Sequence, residues 1–227
     1  PEFTHVRDFF NAKTFAAATP KKKAKLVASL AMFYHLHDPV GFSRDVAASL
    51  DDEGAWIVQM AYLPTMLKTN MYDNIVHEHA GYYGVQHMRW IMEKVGLEIF
   101  DVELNDVYGG SFRLFMKKKG CRKFPVSPRV EAILKDELDM GIFDPTTYRN
   151  FMRRVEKTRD DLRALCAKLN REGKTVWVYG ASTKGNTILQ YCGLGHKELV
   201  AAADANPFKL GKFVVGADLP IKDEATM

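Results

Sequence analysis

A strongly apolar stretch from Ala24 to Met32, broken only by Lys25 and Ser29 and set off by Pro20 and a lysine cluster before it and by His35-Leu36-His37-Asp38-Pro39 after it, constrains this chain most. A run of that length reads as a buried strand of a parallel sheet, and parallel neighbours must be joined by helical crossovers. The helix is signalled at once. Asp38 can cap it, Pro39 loses no hydrogen bond in the first turn, and Val40, Ser43 and Ala47 then share a face. Asp51-Asp52-Glu53-Gly54 is read as its stop, with Ala55 to Tyr62 as the next strand. Met88, Ile91, Met92 and Val95 then recur at helical spacing until Gly96. Leu97 to Val102 and Ser111 to Met116 follow as two strands joined through Asn105-Asp106 and Gly109-Gly110, expected to pair as an antiparallel hairpin. The order of elements defines an α/β sheet.

Pro125 and Pro128 mark a change of composition. From Arg129 to Leu169 the chain is highly charged, with Phe151, Val155, Leu162, Cys166 and Leu169 at helical spacing, which predicts one or two bridging helices. A second βαβ unit then begins: strand Thr175 to Tyr179, a turn through Gly180-Ala181-Ser182-Thr183-Lys184-Gly185-Asn186, helix Thr187 to Cys192, and strand Leu199 to Ala203 ending at Asp204. The expected division is therefore 1–120, 121–173 and 174–227. In the turn, glycine lets the backbone approach an oxyanion, the N–H groups opening the helix point at it, and Lys184 adds charge. The spacing is neither GxGxxG nor a Walker loop, where Lys would stand in place of Asn186. Asp204 has two readings, a ribose-binding acid or a cap before Asn206-Pro207.

With 227 residues and a net charge of +4, the composition is that of an ordinary globular protein. No apolar run approaches the roughly 20 residues needed to cross a bilayer and no basic-then-apolar leader opens the chain, so a cytoplasmic location and no membrane contact are expected. Lys21-Lys22-Lys23 and Lys117-Lys118-Lys119 lack interleaved aromatics, and nucleic-acid binding is not expected. Cys121, Cys166 and Cys192 are odd in number and far apart, which argues for reduced thiols rather than a disulfide framework or a cysteine-zinc site.

Proton-transfer chemistry concentrates between Tyr72 and Tyr83, where twelve residues hold His77, His79, Asp73, Glu78, Tyr72, Tyr82 and Tyr83. Imidazole is the side chain poised near neutral pH, so His77 and His79 beside Glu78 can supply a general base and the carboxylate that orients it. The plainer alternative is a loop whose polar groups satisfy backbone partners. A metal held through His77 and His79 would want a third ligand at helical or hairpin spacing, and none follows, so no metal is expected.

Several motifs in one order resemble the S-adenosylmethionine-dependent C-methyltransferases that act on nucleotide-linked keto sugars. They are Ala31-Met32-Phe33-Tyr34-His35-Leu36-His37-Asp38-Pro39, Tyr62 to Asn70, His77-Glu78-His79, Asn105 to Ser111, Tyr179-Gly180-Ala181 with Lys184-Gly185-Asn186, and Gly216 to Ile221. The resemblance runs over nearly the whole chain. It implies the C-terminal half of a class I methyltransferase sheet, a helical linker and a partial Rossmann-like unit that helps hold the sugar nucleotide. The family's cysteine-rich zinc module and glycine-rich cofactor turn have no counterpart in this sequence, which looks like the middle of a longer protein. If nothing else supplies the remaining strands, an exposed apolar sheet edge and weak or absent activity are expected.

The resemblance assigns His79 as general base, Glu78 as its acidic neighbour and His35 as donor to an enolate oxygen. It places Ala31, Met32 and Phe33 against the cofactor, at the carboxyl end of a strand where such sheets bind ligands. Tyr72, His77, Tyr82, Tyr179, Lys184 and Asn186 are assigned to the substrate, the last three to its phosphates. Where some members carry a phenol three residues before the base, this chain has Val76, which leaves that role to Tyr72, Tyr82 or Tyr83. The implied partner is a nucleotide-linked keto sugar. A nicotinamide-dependent oxidoreductase built on Tyr179 to Asp204, or a sugar-nucleotide-binding module without turnover, are the alternatives. Subunit number is not legible.

Overall fold

The computed structural model describes residues 3–227. They divide into two compact units: one takes in the chain as far as Met66 together with Glu78–Asp144, the other Leu67–His77 together with Pro145–Met227. Composition suggested breaks near 120 and 173 instead. Packing places the bridging helices in different units, and it assigns the segment before the His-Glu-His motif to the second.

The first unit contains α1 (Ala12–Ala18), β1 (Ala24–Leu30), α2 (Pro39–Ser49), β2 (Leu50–Ala61), the start of α3 (Leu63–Thr69), α4 (Val85–Lys94), β3 (Leu97–Asn105), β4 (Ser111–Lys118) and α5 (Pro128–Asp139). Its sheet has the order β1-β2-β4-β3. β1 and β2 are parallel, while β4 lies antiparallel to both of its neighbours, as the expected hairpin requires. Because side chains alternate along a strand, Trp56, Val58 and Met60 of β2 share one face, and they are buried with Val46 of α2 and Met88, Ile91 and Met92 of α4. The apolar stripe read from the sequence is thus the face that α4 turns to the sheet. The Trp56 indole donates to Ser29 Oγ at 3.1 Å, tying β2 to β1 through the buried layer.

Several strand boundaries differ from the sequence reading, and two of the differences have a direct physical cause. β2 begins at Leu50, so Asp51-Asp52-Glu53 lies within a strand and does not stop the helix as a loop. Leu50 is fully buried, and the acidic side chains are matched from adjoining segments: Asp51 by Lys25 at 2.7 Å, Asp52 by Lys118 at 2.8 Å, Glu53 by Lys123 at 3.6 Å. Opposite charges across strands make an acidic run tolerable there. β1 stops at Leu30 and not at Met32, because Ala31 adopts φ +52, a left-handed conformation that ends a strand.

The second unit contains α6 (Pro145–Arg171), β5 (Val178–Tyr179), α7 (Thr183–Cys192), β6 (Ala202–Asp204), β7 (Phe213–Val214) and β8 (Leu219–Asp223). Sheet order is β5-β6-β8-β7, with β5, β6 and β8 parallel and β7 reversed. The expected βαβ unit is present, and its helix starts one turn earlier than expected. Ser182 Oγ accepts from Gly185 N at 3.0 Å, a cap that places Lys184 and Asn186 inside the first turn of α7. Leu189, Cys192, Ala202, Leu219 and Ile221 form the core with Cys166 of α6. Cys166 and Cys192 are buried free thiols, and Cys121 is a free thiol at intermediate depth. Among the described residues no helix is long and apolar enough to cross a membrane.

Glu137 of α5 is a carboxylate only 1% exposed, and it accepts from Val85 N at 2.6 Å and Gln86 N at 2.8 Å, the amides that open α4. Burial pushes its carboxyl up, against the opposing pull of these two amides. Removing the side chain strands two buried donors. Glu137→Ala is expected to destabilise the unit by about 2–4 kcal/mol and Glu137→Gln by roughly half that, measured by urea unfolding. Equal stability of all three proteins would refute the cap.

Candidate active site

At the carboxyl end of β1, Ala31 turns the chain and Phe33–His35 forms one turn of 3-10 helix. Phe33 is fully buried, and its ring packs on Phe42 at 6.2 Å, Trp56 at 5.9 Å and Tyr83 at 5.5 Å between centroids. With Phe33 held inward, Tyr34 is left at intermediate depth and His35 exposed. The loop that follows Glu78 comes to the same place. Gly81 N donates to Tyr34 O at 3.2 Å, Leu63 N donates to Tyr83 O at 3.0 Å, and Tyr83 packs on Phe33.

These restraints gather three of the expected chemical residues. Ligand-capable atoms of His35, Glu78 and His79 all lie within 4.8 Å of one another, with His35 and Glu78 exposed and His79 at intermediate depth. The Tyr34 ring stands 4.5 Å from that of His35 and 4.4 Å from that of His79, and the two imidazole centroids are 5.3 Å apart. Tyr82 is farther out, 6.3 Å from His79. Tyr34 was missed by the sequence reading although it sits inside a quoted motif, since nothing in its spacing distinguishes a ring facing two histidines from a core residue. Burial pushes its hydroxyl up, assisted by the charges of Tyr108 and Glu78.

Ala31 and Met32 are partly accessible at the strand end, and Phe33 offers a ligand little beyond its backbone because its ring is enclosed. Tyr72 and His77 belong to the second unit and are not part of the His35-Glu78-His79 group. Tyr72 is 7% exposed, its ring 5.5 Å from Tyr191 and its hydroxyl 3.7 Å from Cys192 Sγ, and burial pushes its hydroxyl up. His77 is exposed.

In the turn after β5, Ala181 N donates to Asp204 Oδ2 at 2.8 Å and Gly185 N donates to Ser182 Oγ at 3.0 Å. Gly180 adopts φ +90, and a Cβ there would meet open space. Lys184 lies 3.7 Å from Asp73, Tyr179 is 75% exposed with its hydroxyl donating to Glu224 at 3.1 Å, and Asn186 Oδ1 is buried without a hydrogen-bond partner. A cavity of about 300 Å³ opens beside this turn, lined by Ser182, Asn186, Lys209, Lys212 and Phe213 among others.

Asp204 is committed to the fold. Its Oδ1 accepts from Asn206 N at 2.8 Å, and its Oδ2 accepts from Ala181 N and Lys209 Nζ, both at 2.8 Å. That is the turn-capping reading, not a carboxylate waiting for ribose. Lys209, then the Asn206 and Ala181 amides, hold its carboxyl at about 2. A carboxyl lowered on folding gives stability fully present above its unfolded value of 3.8 and lost as pH falls to about 2. Thermal unfolding of Asp204→Asn is accordingly expected to be flatter than wild type between about pH 4 and pH 2, with the two proteins converging as acid is added. Parallel curves would remove Asp204 from the acid transition.

The sequence pattern of the C-methyltransferase C-terminal domain matches residues 106–227, and that of a methyltransferase domain matches residues 3–102. The chain belongs to the C-methyltransferase family, which the order of its motifs had indicated. It is 37% identical over 204 residues to the C-methyltransferase NovU of Streptomyces niveus, an alignment covering 90% of this chain and 48% of NovU. The chain thus spans about half the length of that curated relative. Among solved structures it overlaps partially with mitomycin 7-O-methyltransferase MmcR, at 15% identity and a TM-score of 0.38 over 44% of this chain and 31% of that one. Magnesium protoporphyrin IX methyltransferase from Synechocystis PCC 6803, solved with bound S-adenosylhomocysteine, overlaps at 16% identity and a TM-score of 0.34 over 45% and 48%.

Proposed function

We propose that the protein to which this sequence belongs transfers a methyl group from S-adenosylmethionine to the carbon beside the ketone of a nucleotide-linked keto-deoxysugar, through an enolate, in the cytoplasm. The observation that carries the reading is the convergence of His35, Glu78 and His79, two imidazoles and a carboxylate, at the carboxyl end of β1. Family membership supplies the reaction class.

His79 takes the proton from the carbon next to the ketone, and the electron pair left behind moves onto the carbonyl oxygen. Glu78 stabilises the imidazolium that results. His35, whose ring lies 5.3 Å from that of His79, donates an N–H to the enolate oxygen while charge develops there. When bound, the cofactor would supply an electrophilic sulfonium methyl to the enolate carbon, with a neutral thioether as the leaving group. Ala31 and Met32, partly accessible at the strand end, fit the border of a site for it. Tyr82 is assigned to the sugar near the base, and Tyr72 and His77 are assigned to the substrate. Tyr179, Lys184 and Asn186 are assigned to the diphosphate, to which a phenol hydroxyl, an ammonium and a carboxamide NH₂ can all donate.

Incubating the chain with a thymidine-linked keto sugar in heavy water tests the first step without requiring turnover. Wild type should exchange the proton beside the ketone, and His79→Ala should lower that rate by about 10²–10⁴-fold, with affinity for S-adenosylhomocysteine unchanged by calorimetry. Undiminished exchange in the variant would move the base elsewhere. Sugar-nucleotide binding with no exchange in wild type would favour a binding module, and affinity for NAD alone would overturn the assignment.

A further inference from the structure

We propose that His35, Glu78 and His79 form a binding site for a divalent transition ion of the zinc class, and that occupancy of this site silences the base. The second half of this proposal rests on His79 acting as the base. Two neutral imidazole nitrogens and one carboxylate oxygen are a donor set suited to Zn²⁺ or Co²⁺ and poorly suited to Mg²⁺ or Ca²⁺, which take oxygen ligands. Their ligand atoms already lie within 4.8 Å of one another. Bonds of about 2.0–2.2 Å in a tetrahedral arrangement bring ligand atoms to roughly 3.4 Å apart, so closure by little more than an ångström completes the set.

The surroundings allow that closure. His35 and Glu78 are exposed and sit on a short turn and a loop, while the Tyr34 ring packs beside both imidazoles at one end of β1. Three protein ligands leave a fourth position open to water. His77, next to Glu78 in sequence, is not in the group, so sequence spacing alone points to the wrong pair of histidines. Binding consumes the lone pair with which His79 would accept the proton from the substrate. Metal occupancy and proton abstraction therefore exclude each other, and no contact with the cofactor is needed for the block.

The test titrates the full chain with ZnCl₂ in a non-chelating buffer by calorimetry and with CoCl₂ by visible absorption. One saturable site is expected, weakened more than about tenfold in His35→Ala and in His79→Ala and unchanged in His77→Ala. Binding by the His35 and His79 variants as tight as that of wild type, or no saturable binding by wild type, would overturn the site. A near-ultraviolet cobalt–thiolate band would also overturn it by placing the ion on a cysteine. Zinc at one equivalent should stop proton exchange beside the ketone, and a chelator should restore it. Exchange that persists with the site filled would overturn the silencing. Zinc bound at this site by a wild type that never exchanges would end the base assignment and the silencing, and would leave the metal site standing.

Discussion

The burial of one aromatic ring underlies the arrangement of the first unit. Phe33 follows the left-handed turn at Ala31 and inserts among Phe42, Trp56 and Tyr83, so it joins the end of β1 to α2, β2 and the loop before α4. Aromatic contacts at these separations add to the free energy of burying the ring itself. The helical turn after β1 can point Tyr34 and His35 outward only because Phe33 is fixed inward. Because Tyr83 leans on the same ring, the His79 loop is brought back to that turn. The chemistry of the site is thus arranged by a residue that presents no polar atom to it.

The same constraint explains what was legible in the sequence. Periodicity gave the sheet face of α4 and the β3–β4 hairpin, because 3.6- and 2-residue repeats record burial directly. Asp38 and Pro39 were read correctly as the start of α2 because capping is a local matter between Asp38 and Gly41. The start of β2 at Leu50 was placed late, at Ala55, since the lysines that match Asp51, Asp52 and Glu53 lie in other segments, at Lys25, Lys118 and Lys123. Ser182 was read as part of a loop, though its hydroxyl starts α7 one turn earlier.

For the site, the motif gave its members and not its grouping. His77, Glu78 and His79 are consecutive, yet the imidazole that joins Glu78 and His79 is His35, distant in sequence and carried by another element. No local spacing rule could pair them, because the pairing depends on where β1 ends and on what Tyr83 packs against. Asp204 shows the opposite case: an acid at the end of a βαβ strand suggests ribose, but its two oxygens are already taken by Asn206, Ala181 and Lys209.

The indole of Trp56 spans β1 and β2 through its bond to Ser29, in a fully dry setting, whereas Trp90 is 57% exposed and Trp177 lies in the second unit under the ammonium of Lys222. The three indoles therefore sit in three different dielectric surroundings. Detachment of the edge strand would wet the first of them alone, so emission colour offers an intrinsic gauge of whether β1 remains docked while the rest of the molecule stays folded.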